Sequence, residues 1–220
     1  MEIPLKLPDM IVFLLLVVSI YFISRKAMNE VFYFLMRIFK NYHLVLAVIT
    51  LILLPGTLIH ELAHFIVALV LLLPVKSMSL FPVFEANQIK LGEVKFEKRD
   101  VVRGGIVGIA PFVVGILLLI SIFYFQIFPG QDLIINILMT YLIFSVSSNM
   151  FSSRQDLKDA IFVVPVIAIG AALFYLFDIK LDMTLVNAIM KEANYYLFFV
   201  LVINFGAFVL FKTFNSFLKK

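Results

Sequence analysis

Long apolar runs broken by short polar seams set the pattern of this chain. Met10 to Ile23 is the first run, closed by Ser24, Arg25 and Lys26, and it predicts a membrane span. No small-residue cleavage site precedes those charges, so the run reads as a retained span and not a signal peptide. From Ala27 to Tyr42, the residues Val31, Phe34, Leu35, Ile38 and Tyr42 recur at helical spacing opposite Glu30, Arg37, Lys40 and Asn41. That periodicity predicts an amphipathic helix lying at the membrane interface. His43 to Pro74 follows, and at about 1.5 Å per residue one straight helix would reach roughly 48 Å. A hydrocarbon core is only about 30 Å thick. Pro55-Gly56 is where a break or kink is expected.

Lys76 to Arg103 is the one substantial polar stretch. Ser77 to Glu85 and Gln88 to Glu97 are short, rich in β-formers and separated by Ala86-Asn87, which predicts a hairpin. The apolar phase shifts from Ile89 and Leu91 to Val94 and Phe96, so a bulge is expected at Gly92. Further spans are predicted at Gly104 to Phe128, Asp132 to Ser148, about Leu157 to Phe177, and Tyr195 to Phe214, with Asp178 to Asn194 as a polar connector. In the first of these, Gly104, Gly105, Gly108, Ala110 and Gly115 suit close helix packing, and Pro111 loosens the backbone. The expected fold is an all-α polytopic membrane protein of about six transmembrane helices with a short membrane-associated β-hairpin. It divides into an N-terminal anchor and connector (1–42), a core (43–177) and a C-terminal connector and helix (178–220).

Composition agrees with a multi-pass protein embedded in a lipid bilayer. Of 220 residues, 63% are hydrophobic and 15% charged, which leaves no room for a large extramembrane domain. The absence of cysteine excludes disulfides, thiolate metal ligands and a cysteine nucleophile. A net charge of +4, with lysines and arginines at the ends of apolar runs, reports membrane orientation and not nucleic-acid binding. With six spans and a cytoplasmic amino terminus, Lys6, the six basic residues of 76–103, Arg154, Lys158, Lys212, Lys219 and Lys220 fall inside, twelve of the 18 basic residues. The positive-inside rule prefers that arrangement, in the cell membrane, to its inverse.

Chemistry is concentrated in His60-Glu61-Leu62-Ala63-His64, set within an apolar run. On a helix the two histidines lie on one face and reach one metal ion, with Glu61 beside them. That is the arrangement of zinc peptidases, in which the metal activates a water and the carboxylate takes its proton. An ionisable residue at membrane depth costs about 2.5 to 3.5 kcal/mol on insertion scales, which argues for function over two satisfied polar side chains. Two imidazoles leave zinc short of a protein ligand, so a carboxylate from another helix is needed. Asp156 follows a span end beside Asn149, Ser152 and Ser153 and is the first candidate; Asp159 and Glu192 are the alternatives. His43, at the polar start of its run, reads as an interfacial residue.

With these residues the chain resembles the site-2 protease family of intramembrane zinc metalloproteases. That family carries HExxH in one transmembrane helix and, in a later one, an Asn-x-x-Pro stretch leading to a Leu-Asp-Gly whose aspartate is the third ligand. HELAH matches fully. The second motif matches loosely: Asn149 stands for the asparagine, Ser152 where proline is usual, and Asp156 for the ligand, followed by Leu157 in place of glycine and one residue closer. The resemblance implies Zn2+ held by His60, His64 and Asp156, with Glu61 as general base and Asn149 bonding the substrate backbone or the developing oxyanion. It also gives 76–103 a counterpart in the family's strand-rich, membrane-associated loop.

The expected activity is hydrolysis of a peptide bond within or near a transmembrane segment of a membrane-protein or peptide substrate. Substrate is expected to add as a strand beside Leu91 to Phe96, because unwound backbone needs partners at membrane depth. The rival from another class is a non-proteolytic metal-binding membrane protein, a carrier or a degenerate protease acting as a binding partner. A carrier calls for a path of intramembrane acids or histidines, and here the acids cluster in connectors. Peptidases of the prenyl-protein processing type take a glutamate ligand from Glu-x-x-x-Asp, a pattern that Glu192 lacks.

Overall fold

A computed structural model describes residues 7–79, 83–85, 88–90, 92–97, 100–151 and 183–218, with a few helical positions between 165 and 177. Its elements are α1 (Leu7–Phe39), α2 (Tyr42–Val70), β1 (Val75–Ser79), β2 (Val83–Glu85), β3 (Gln88–Lys90), β4 (Glu93–Phe96), α3 (Val101–Tyr124), α4 (Leu133–Asn149) and α5 (Met183–Phe217). Four helices among the described residues are long and apolar enough to cross a membrane: Asp9–Phe39, Tyr42–Val70, Val101–Tyr124 and Thr184–Phe217. Leu133–Asn149 is apolar but shorter. That is fewer than the six expected, and the span expected near Leu157 to Phe177 lies largely outside the described residues.

The first correction concerns the N-terminal third. The expected span at Met10 to Ile23 and the expected interfacial helix at Ala27 to Tyr42 are one continuous helix, α1. The charges that suggested a membrane boundary have partners on the helix itself and on α5. Buried Ser24 donates to the Tyr21 carbonyl at 3.1 Å, and the Arg25 guanidinium sits 4.8 Å from the Tyr21 ring centroid. Farther along, Asn215 donates to the Glu30 carboxylate at 2.7 Å and carbonyl at 2.8 Å, while Arg37 donates to the Asn215 carbonyl.

Those contacts also fix how the two ends of the chain meet. Asn194 donates to the Asp9 carbonyl and Asn215 to that of Glu30, each pair 185 residues apart in sequence. An equal offset at two levels means that α1 and α5 run parallel. Six alternating spans would have placed the last antiparallel to the first. The described part of the expected connector, 183–194, is the first part of α5, and Asn194 at its end is bonded across to α1.

The hairpin takes the expected form in two ladders. β1 pairs with β4 (Met78 opposite Val94, Ser79 opposite Glu93) and β2 with β3 (Val83 opposite Lys90, Glu85 opposite Gln88), all antiparallel. Between Ser79–Glu93 and Val83–Lys90, one arm has three residues and the other two, Leu91 and Gly92. The offset falls where the apolar phase changed. The expected turn at Ala86-Asn87 and the residue Leu91 lie outside the described residues.

Helix starts follow sequence signals. Asn41, Asp100 and Asp132 cap α2, α3 and α4, accepting from Leu44, Arg103 and Ile134 at 3.2, 2.8 and 2.7 Å. Helix ends do not: Lys40, Leu72 and Gln126, past the ends of α1, α2 and α3, hold positive φ of 52°, 55° and 55° without glycine. The main apolar core joins α1, α3, α4 and α5 through Ile20, Leu119, Ile143, Met150, Leu197 and Val200. Outward residues such as Leu15 and Val70 remain apolar and exposed, as lipid-facing surfaces require.

Candidate metal centre

Three backbone interruptions build this region. The first is Pro55, where a break or kink was expected: it lies inside α2, which continues through it without a break. Proline lacks an N–H, so the Leu51 carbonyl loses its helical donor. The Tyr141 hydroxyl of α4 lies 3.5 Å from that carbonyl. One turn further, the Gly56 N–H donates to Ser145 Oγ at 2.9 Å, and Ser145 Oγ donates to the Leu53 carbonyl at 3.2 Å. Asn149 Nδ2 reaches the Leu53 carbonyl at 3.4 Å and the Ser145 carbonyl at 2.9 Å. Tyr141, Ser145 and Asn149 recur every four residues, so one stripe of α4 faces the loosened turn of α2.

Gly56 makes that approach possible. A Cβ there would lie 2.8 Å from Asn149 Nδ2 and would collide with the Ser145 carbonyl. The two helices run parallel at this seam, because Leu51, Leu53 and His60 meet Tyr141, Ser145 and Asn149 in the same order.

The second interruption is the end of α4. Asn149 is its last residue, so no helical N–H follows to occupy its carbonyl. His60 Nδ1 lies 2.7 Å from that oxygen. The third is Pro111 in α3, which deprives the Val107 carbonyl of its donor four residues on. His64 Nδ1 lies 2.9 Å from that oxygen. A carbonyl only accepts, so Nδ1 carries the proton in both rings and the lone pair falls on Nε2. Ring centroids of His60 and His64 are 4.9 Å apart. This is the tautomer, and the backbone support, that histidine needs to ligate zinc through Nε2. The donor chemistry therefore fits the metal.

Glu61 is 8% exposed and His64 7%. Over Glu61 lies the chain entering β4: a Cβ on Gly92 would meet Glu61 Cγ at 2.6 Å and Oε1 at 3.2 Å. The register irregularity of the β1–β4 ladder falls between Val75 and Ser77, and the longer arm between the ladders is 80–82, so the bulge expected at Gly92 is not there; glycine at 92 has another role. It lets the strand backbone close on the carboxylate.

Of the expected site residues, the structure brings together His60, Glu61, His64 and Asn149. Asn149 meets His60 through its carbonyl, and both protons of its side-chain amide have acceptors at Ser145 and Leu53. Asp156 and Asp159 lie outside the described residues. Glu192 is an exposed residue near the start of α5, and His43 is exposed at the start of α2, about 25 Å along the helix from His60. No group of three or more His, Asp or Glu among the described residues is placed to hold a metal ion, so neither Glu192 nor His43 completes the pair. Ser145 and the carbonyl of Val107 were missed by reading the sequence; the prolines four residues after Leu51 and Val107 were the available signal. No family model, curated protein or solved structure matches this chain.

Proposed function

We propose that this chain is a multi-pass intramembrane zinc metallopeptidase of the site-2 protease type, hydrolysing a peptide bond within or beside a transmembrane segment of its substrate. The observation that carries this reading is the shared support of His60 and His64, each with Nδ1–H on a backbone carbonyl so that Nε2 is the ring nitrogen that would ligate a metal, with a buried carboxylate between them in sequence. Two satisfied polar side chains would not need both rings held in the same way. Asp156 is the proposed third ligand, on the family resemblance.

When bound, zinc supplies a Lewis acid that polarises the scissile carbonyl and makes a water acidic. Glu61 is placed to act as the general base and acid: it would accept a proton from the attacking water and return it to the leaving amine. Its burial beneath Gly92 keeps bulk water from competing. Asn149 positions His60 through its carbonyl; donating to an oxyanion as well would require it to give up Ser145 or Leu53. The backbone at the entry to β4, against Glu61, supports pairing of an extended substrate with this strand.

The test is cleavage of a co-reconstituted transmembrane substrate by the native chain and by Glu61→Gln, with zinc content measured on both. The expected result is retained zinc with cleavage lowered roughly 100-fold or more. Equal cleavage by the two proteins would refute the mechanism. Zinc without cleavage in either would favour the non-proteolytic metal binder.

A further inference from the structure

Pro111 stands in the middle of α3, in a chain segment that has no turn to make there. In a helix interior, proline removes one backbone hydrogen bond and crowds the preceding turn. Five of the residues around it (Gly104, Gly105, Val107, Gly108 and Ala110) are small or β-branched and buried, so α3 packs closely here whether or not the proline is present. Pro111 is itself fully buried, so its ring fills space in this contact, but an alanine or valine could be buried there too; only proline also removes the backbone donor. The missing bond is specific: it is the one to the Val107 carbonyl, and that carbonyl is the atom His64 Nδ1 contacts at 2.9 Å. His64 is 7% exposed and lies on the neighbouring, antiparallel helix, as the pairing of Arg103 with the Leu71 carbonyl also shows.

We infer that Pro111 is a positioning residue for metal binding: by withholding its N–H it reserves the Val107 carbonyl for His64, fixing the ring's orientation and leaving Nε2 as the ligating nitrogen. This rests on the zinc reading above and deepens it. With an ordinary residue at 111, its N–H would share that oxygen and draw it toward the helix axis, so His64 would be held less firmly and less well aligned. His60 needs no such device, because its acceptor is the terminal carbonyl of α4. The same logic at Pro55 frees the Leu51 carbonyl but places no histidine on it, so a proline in a span is not by itself the signal.

The decisive experiment compares zinc affinity and thermal unfolding of the full chain and Pro111→Ala in detergent, using a competing chelator of known affinity. The inference predicts that Pro111→Ala still unfolds cooperatively in the zinc-free state but binds zinc about 10- to 100-fold more weakly. Retained cooperative unfolding separates positioning from loss of the fold. Equal zinc affinities would overturn the inference and leave the metallopeptidase reading intact. A native chain that takes up no zinc would overturn that reading, and this inference with it. Should Pro111→Ala not fold, nitrogen chemical shifts of selectively labelled His64 in the zinc-free native chain decide: Nδ1–H supports the inference, and Nε2–H overturns it.

Discussion

Glu61 and the two histidines were legible as residues because H-E-x-x-H is a local spacing, and a helix turns spacing into proximity. What holds them was not legible. The acceptors for the histidines are main-chain oxygens on α3 and α4, 43 and 89 residues away, and a carbonyl leaves no mark in a sequence except the proline or helix end that frees it. Gly92 was read as a bulge, yet its closest neighbour is the Glu61 side chain. Gly92→Ala should therefore displace the carboxylate and lower cleavage at least tenfold, while zinc stays bound because Glu61 is not a ligand. Paired measurements of turnover and zinc content check this; undiminished cleavage would remove Gly92 from the site. For the third ligand, Asp156→Ala should lose zinc and Asp159→Ala should keep it.

Among the elements, the seam between α2 and α4 sets the site's geometry. Ser145→Ala leaves the buried Gly56 N–H without its acceptor, a loss of about 1 to 3 kcal/mol. Gly56→Ala gains helix propensity of about 1 kcal/mol, but its Cβ meets α4 at contact too close to keep. Overpacking of about 1 to 3 kcal/mol then outweighs the gain, and the Asn149 carbonyl moves off His60. Both variants should unfold at lower temperature and bind zinc more weakly, measured by thermal denaturation and chelator competition. The starts of α2, α3 and α4 lie within three residues of those expected and carry side-chain caps at Asn41, Asp100 and Asp132, whereas α5 begins at Met183, twelve residues before the expected Tyr195. Helix ends were not legible, because Lys40, Leu72 and Gln126 take left-handed conformations that sequence assigns to glycine. The polar seam at Ser24 to Lys26 misled for a related reason: charge at a helix surface looks the same whether it meets headgroups or an aromatic ring.

At the scale of the whole molecule, parallel packing of α1 and α5 rewrites the topology. If each of the five long or apolar helices crosses the membrane in turn, the start of α1, the hairpin and the start of α5 share one side, and the C-terminus lies on the other. On that arrangement, the positive-inside preference of 76–103 would put the hairpin on the cytoplasmic side and the end of α5 at Phe217 on the other. The chain has no cysteine, so single cysteines at Lys95 and Lys220 should label with an impermeant thiol reagent from opposite sides of intact cells. Labelling from the same side would contradict the parallel pair. That arrangement brings the hairpin, the histidines and the end of α4 to one region, where the account places a metal ion. The central claim is tested most directly by elemental analysis of zinc in the purified, folded chain beside His60→Ala and His64→Ala. Stoichiometric zinc in the native chain and its loss from both variants are expected; a native chain that, after equilibration with zinc, retains no more metal than the variants would rule out the metal centre.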